Sequence, residues 1–274
     1  MAQILDGKTQ SATIRAKIKE RVTSLTTPPG LAVILVGNDP ASHTYVSIKQ
    51  VACEEVGIHF EKFLYPENES EEVIISKIHE LNMRDDIHGI LVQLPLPSQS
   101  ADKMILEIDP KKDVDGFHPV NLQNLKKGEN AIVSAVALGV MRLIRSATTK
   151  LDGLEATIVA SPLFSEPLIL LLQESGVHVT VVNSLDPSLT QKTKSDILIV
   201  AVGEPNLITK EMIKPGAVVI DVGTTRLQGV LYGDVDFEHV REAAGFLTPV
   251  PGGVGPMTVA MLLVNVLKAY SFQK

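Results

Sequence analysis

A chain of 274 residues is long enough for one large domain or two ordinary ones, and its 45% apolar and 21% charged composition excludes disorder as the main state. The 25 basic and 32 acidic side chains leave a net charge of −7. With no basic run and no Trp, that balance argues against nucleic acid as a partner and for small molecules. The single cysteine, Cys53, rules out an internal disulfide and a cysteine-based zinc cage, and fits a reducing compartment. Met1 to Glu20 mixes both signs of charge without an apolar block, so no secretory signal is expected. Ala243 to Leu267 is the longest uncharged run, but Pro249, Pro251 and Pro256 cut it to about 11 clean apolar residues where a span needs roughly 20. A cytoplasmic chain with no membrane partner is expected.

In chain order, Ile14, Ile18, Val22 and Leu25 recur at helical steps, so Ser11 to Leu25 reads as an amphipathic helix. Leu31 to Gly37 is a short branched apolar run, a strand buried on both faces. Asp39-Pro40-Ala41-Ser42 starts a helix that Gly57 stops. Val73 to Met83 is helical, and His88 to Gln93 is a second buried strand, closed by Leu94-Pro95-Leu96-Pro97. Ala137 to Ser146 reads as a helix bridging two lobes. Strands follow at Ala156–Ala160, His178–Val182, Asp196–Ala201 and Ala217–Asp221, with a helix from Pro167 to Ser175 between the first two. Met257 to Tyr270 is a C-terminal helix expected to return to the first lobe. Strands alternating with helices imply parallel βαβ units, hence an α/β fold of two lobes, the second a doubly wound Rossmann-type sheet.

Tyr45 and Lys49 stand four apart on one helix face. Desolvation lowers a lysine's pKa, so on a buried face the pair could move protons, although on spacing alone a lysine snorkelling beside a surface tyrosine is the simpler reading. Gln93 closes a buried strand at its C-terminal end, where open α/β sheets bind ligands. Lys112-Asp-Val-Asp-Gly-Phe-His118 carries two carboxylates in one short turn. Pro249-Val-Pro-Gly-Gly-Val-Gly-Pro-Met-Thr258 describes a stiff turn at a helix start, able to approach a flat ligand. The seven histidines show no metal-ligand spacing, and Asp234 and Asp236 read as turn caps.

Tyr45-Val-Ser-Ile-Lys49, Val92-Gln-Leu-Pro-Leu-Pro97, the Lys112 to His118 turn, Gly233-Asp-Val-Asp-Phe237 and the Pro249 to Thr258 turn together resemble the methylenetetrahydrofolate dehydrogenase/methenyltetrahydrofolate cyclohydrolase family, in order over nearly the whole chain. The resemblance implies oxidation of 5,10-methylenetetrahydrofolate with NADP or NAD, hydrolysis of the methenyl product to 10-formyltetrahydrofolate, and a homodimer. It implies a folate-binding catalytic domain over 1–134, joined by the helix 256–274, and a dinucleotide-binding domain over 135–255. Carried over by motif, Lys49 assists proton movement and water attack, Tyr45 stacks on the folate, Gln93 holds the lysine and helps keep it neutral, and Asp115 hydrogen-bonds the pterin. Val92, Leu94, Pro251, Gly252, Gly253 and Thr258 line the same pocket.

The cofactor side departs from the family. Where the family has Gly-Arg-Ser and then Val-Gly-Lys-Pro, this chain has Val159-Ala160-Ser161 and Phe164-Ser165-Glu166-Pro167. The glycines that let phosphate approach and the arginine that holds it are gone, and Glu166 adds a negative charge. Ser161, Ser184 and Thr224 remain as cofactor contacts, and Asp186 reads as a loop residue. NADP is the cofactor the resemblance implies. NAD alone, or none, fits the altered loop, and the corresponding alternatives are an enzyme limited to hydrolysis or a non-catalytic folate binder.

Overall fold

The computed structural model describes all 274 residues, Met1–Lys274. The chain runs β1 (Gln3–Ile4), α1 (Gly7–Thr23), β2 (Gly30–Val36), α2 (Pro40–Val56), β3 (His59–Tyr65), α3 (Glu71–Asn82), β4 (Gly89–Val92), α4 (Ala101–Glu107) and α5 (Pro119–Lys126). It continues through α6 (Ala135–Ala147), β5 (Glu155–Ala160), α7 (Pro162–Glu174), β6 (His178–Val182), α8 (Leu189–Lys192), β7 (Ile197–Ala201) and β8 (Val218–Asp221). It ends with β9 (Thr225–Leu227), β10 (Val230–Tyr232), α9 (Phe237–Val240), β11 (Phe246–Leu247) and α10 (Val254–Phe272).

Two compact units result: Ala12–Ala135 with Val259–Lys274, and Met1–Ser11 with Val136–Thr258. In the first, a parallel sheet of order β3-β2-β4 has its central strand β2 buried at every position. The packing explains that apolar run, because Ala32, Ile34 and Val36 meet Ile74, Ile78 and Leu81 of α3 in one core. Asp39 caps α2 by accepting from Ser42 N at 2.8 Å, Pro40 fits the first helical position, and Gly57 ends the helix with φ +82°.

The second unit holds a six-stranded parallel sheet of order β1-β11-β8-β7-β5-β6. Its neighbours β6 and β7 flank β5 on opposite sides, so the chain leaves β5 both ways and creates the switch point at which such sheets bind ligands.

Four boundaries differ from the sequence reading, each for a local reason. Residues 1–11 belong to the larger sheet's unit rather than to a first domain of 1–134, because Gln3 and Ile4 pair in parallel with Phe246 and Leu247. The first unit takes up the C-terminal chain from Val259, not from residue 256. Helix α7 begins at Pro162, not Pro167: both prolines suit a first turn, and Ser165 N bonds Ser161 O at 3.0 Å to close the earlier one. Finally, α10 runs unbroken for 19 residues with mean hydropathy 1.3, long and apolar enough to cross a membrane by composition alone. Pro256 sits in its first turn and interrupts nothing. Of that stretch 56% is buried within the protein, the pattern of a core helix.

Candidate active site

Three elements of the first unit converge on Lys49. Helix α2 brings Tyr45 and Lys49, both half-buried, one turn apart. Strand β4 ends at Val92, and the next residue, Gln93, is buried at 8% exposure. Lys49 Nζ donates to Gln93 Oε1 at 2.8 Å, while Gln93 Nε2 donates to the Leu94 carbonyl at 2.6 Å, which fixes which way the amide faces. The amine is therefore gripped by a neutral acceptor. Burial lowers the Lys49 pKa from its ordinary value; the charge of Asp115 opposes that shift, and Cys53 adds weakly to the opposition.

The structure separates the two carboxylates of the Lys112–His118 turn. Asp113, 2% exposed, is consumed by the backbone: it accepts from Gly116 N at 3.1 Å, His118 N at 2.8 Å and Asn121 Nδ2 at 3.2 Å. Asp115 makes no such closure. Burial pushes its carboxyl up to about 6, Lys49 pulls it down, and Asp113 pushes it further up. A lysine and an acid that each sit closer to neutrality than in water can exchange a proton at modest cost. Val92, Leu94 and Asp115 line a small cavity with Ile105, Ile108 and Phe117. Cys53, one turn beyond Lys49, is fully buried, and burial pushes its thiol up to about 12, so it packs as an apolar residue.

Pro251, Gly252, Gly253 and Thr258 lie in the other unit. There the glycines answer to backbone packing. A Cβ on Gly253 would meet Pro249 O at 2.7 Å, one on Gly7 would meet Gly253 O at 1.9 Å, and Gly252 has φ +114° with its carbonyl accepting from Lys8 N at 3.0 Å. Thr258 Oγ1 bonds back to Val254 O at 3.1 Å.

At the C-terminal edge of the larger sheet, only Ser161 separates β5 from α7. Ser161 is exposed and makes no side-chain cap bond, so the first-turn N–H groups of Leu163 and Phe164 lack a cap, while Pro162 offers no N–H. Ser165, at the position of a family glycine, is buried and bonds back to Ser161 O. Ser184 Oγ donates to Glu204 at 3.3 Å, and Thr224 is exposed. Asp186 is occupied locally by Ser188 and by Lys192 at 2.7 Å. Uncapped N–H groups and open hydroxyls along a switch-point edge fit a dinucleotide's phosphates and riboses through neutral hydrogen bonds.

The Gly233–Phe237 motif proves to be structural framing for that edge. Buried Asp234 accepts from Val202 N at 2.6 Å and from Gly203 N, and buried Asp221 accepts from Gly223 N, Asp234 N and Val235 N, each at 3.0 Å. A Cβ on Gly223 would lie 2.2 Å from the Asp234 carboxylate, so only glycine fits there. Burial pushes Asp221 up to about 7. No local pattern marks Thr248, whose Oγ1 accepts from Asp221 N at 2.7 Å, and only a lone Asn inside the apolar run of α10 points to Asn265.

Residues 5–115 match the family model described as the catalytic domain of tetrahydrofolate dehydrogenase/cyclohydrolase, and residues 134–274 match that of its NAD(P)-binding domain. The bifunctional protein FolD of Bordetella avium is 48% identical over 275 aligned positions, covering 98% of this chain and 97% of its own. That of Aquifex aeolicus is 49% identical over 278, covering 98% and 96%. Among solved structures, the bifunctional FolD methylenetetrahydrofolate dehydrogenase/cyclohydrolase of Campylobacter jejuni superposes with a TM-score of 0.95 at 41% identity, covering 100% of both chains. The Trypanosoma brucei enzyme, complexed with NADP and an inhibitor, superposes with a TM-score of 0.94 at 35% identity, covering 99% and 98%.

Proposed function

Because this chain belongs to the tetrahydrofolate dehydrogenase/cyclohydrolase family, we propose that it oxidises 5,10-methylenetetrahydrofolate to the methenyl form and hydrolyses that product to 10-formyltetrahydrofolate. The observation that carries the chemistry is the Lys49 amine, desolvated and held at 2.8 Å by an uncharged amide. In hydrolysis, neutral Lys49 takes a proton from water as its oxygen bonds to the cationic methenyl carbon. The carbon–N5 bond then breaks with a proton delivered to N5, leaving the formyl group on N10; one proton is released overall. Gln93 fixes the amine without adding charge, Tyr45 stacks on the folate, and Asp115 hydrogen-bonds the pterin, its raised carboxyl pKa allowing it to donate as well as accept. Val92 and Leu94, which line the cavity beside Asp115, complete the folate contacts of this unit.

A bound dinucleotide supplies the hydride acceptor for the oxidation. Ser161, Ser184, Thr224 and the N–H groups opening α7 are the residues to hold it, and NADP, the cofactor in the T. brucei complex, is the one carried over by kinship. Exposed Leu163, Val181 and Leu185 of the nucleotide unit supply apolar surface for a homodimer, and the buried free thiol of Cys53 suits the cytoplasm. The test is two separate assays on the purified protein: methenyl formation from 5,10-methylenetetrahydrofolate with NADP or NAD, and hydrolysis of added methenyltetrahydrofolate. Both rates are expected. Hydrolysis alone would reduce the reading to a cyclohydrolase, and neither rate with folate still bound would reduce it to a folate binder.

A further inference from the structure

We propose that Asn265 is a positioning residue for Asp115, so that the C-terminal helix sets the geometry of the folate-side carboxylate; this rests on the folate reading above. Asn265 is 1% exposed and sits on α10 among fully buried apolar neighbours, Leu262, Leu263, Val266 and Ala269. Its Nδ2 has two hydrogens and uses both, donating to the carbonyls of Val114 and Val133 at 2.8 Å each. Val114 directly precedes Asp115, and Val133 belongs to the segment lying against the same turn.

That segment grips the turn in two further ways. Ala135 N donates to the Asp115 carbonyl at 3.2 Å. Gly116, at φ +79°, approaches so closely that a Cβ would lie 2.4 Å from Ser134 N and from the Val133 carbonyl carbon. On the inner side Asp113 ties the turn to Gly116, His118 and Asn121. Asp115 therefore stands on a strip of backbone anchored at both flanks: Asn121 ties Asp113 to Ile132, donating to the one at 3.2 Å and accepting from the N–H of the other at 3.3 Å, and Asn265 bonds the carbonyls of Val114 and Val133, the residues next to each. Without its two donors, both buried carbonyls lose this partner, and the peptide carrying Asp115 is held less tightly in its place.

The test is a double-mutant cycle of Asn265→Leu with Asp115→Asn, read as the dissociation constant for tetrahydrofolate by equilibrium dialysis and as kcat/KM for methenyl hydrolysis. If Asn265 acts through Asp115, Asn265→Leu weakens binding at least tenfold in the native background and less than twofold beside Asp115→Asn, while the dissociation constant for NADP is unchanged. An equal loss in both backgrounds, or no loss in the native one, overturns the proposal. If Asn265→Leu fails to fold, Asn265→Ser, which keeps one donor, is expected to give a smaller loss with the same non-additivity. A native protein that neither binds tetrahydrofolate nor hydrolyses the methenyl compound would overturn the folate reading instead, a result distinguishable from failure of the Asn265 link alone.

Discussion

Replacing Gln93 by glutamate puts a carboxylate where the neutral amide oxygen now lies, 2.8 Å from Lys49 Nζ. At an effective dielectric constant of about 20, unit charges at that distance attract by roughly 6 kcal/mol. Against this stand the desolvation of a new carboxylate at a position only 8% exposed and the loss of the donor to Leu94 O, which together cost several kcal/mol. A net preference of on the order of 1–3 kcal/mol for the ammonium form remains, equivalent to about one to two pH units. Burial has already lowered the Lys49 pKa. Because the amine accepts a proton only when neutral, hydrolysis is present above that pKa and lost below it. The variant raises the pKa, so the acidic limb of the pH–rate profile for methenyl hydrolysis moves to higher pH by that amount. Gln93→Met, which removes the grip without adding charge, lowers the rate but does not move the limb upward. An unmoved limb in Gln93→Glu with near-native rate would show that Lys49 is not the group whose neutrality matters.

Other outcomes follow from the same structure. Lys49→Met is expected to lower methenyl hydrolysis by about 10²–10⁴-fold, the span of general-base contributions, while the NADP dissociation constant measured by dialysis stays the same. Glu166→Lys puts a cation in the second turn of α7 and is expected to tighten NADP binding by roughly tenfold to a hundredfold, an effect that weakens as salt is raised. Ile34→Ala, in the fully buried middle of β2, is expected to destabilise by about 2–5 kcal/mol in a urea melt without altering the kinetic pH profile. Arg84 grips Glu61 and holds its carboxyl down at about 2. Since that pKa is depressed on folding, the pair contributes stability above the unfolded carboxylate range and loses it as pH falls towards 2. Arg84→Ala should therefore cost up to about 1 kcal/mol at pH 7, the ceiling for a partly exposed pair, and almost nothing at pH 2 by the same melt.

The strand read most directly was the one whose residues face apolar surroundings on all sides, while the exposed strand β6 was read from its branched run and the helices from their amphipathic spacing. Strand β2 is buried throughout and reads as one unbroken apolar run. Edge strand β3 is not, because Glu61 and Lys62 interrupt it and none of its seven residues is buried, so neither period emerges. Strands β1 and β11 have two residues each and exist only through their pairing. The site follows the same logic. Spacing alone left Tyr45 and Lys49 open, and the resemblance singled them out; the structure joins Lys49 to Gln93, which the strand end had pointed towards a ligand edge. On composition alone the two acids of the Lys112–His118 turn were equivalent; the resemblance chose Asp115, and the backbone geometry shows that Asp113 spends its oxygens on N–H groups and Asp115 does not. No local pattern could foretell that Asn265 reaches Val114, 151 residues away.

At the nucleotide edge, the departures from the resemblance leave the fold in place. The sheet needs β5 to be apolar and needs a helix to follow it; Val159, Ala160 and Pro162 meet both demands without a glycine. What the glycines would have added is close backbone approach to phosphate, and what an arginine would have added is charge. Ser165 is buried and bonds back to Ser161 O, and the first turn donates through two N–H groups rather than three because Pro162 has none. Meanwhile the loops beyond β7 and β8 stay fixed by Asp234 and Asp221, whose bonds involve neither the lost glycines nor the lost arginine. Each missing charge-assisted contact is worth about 1.5–3 kcal/mol, roughly tenfold to over a hundredfold in affinity. Dinucleotide binding to this chain should therefore be weaker than in relatives that keep the charged loop, and nearly insensitive to salt because neutral donors make the contacts.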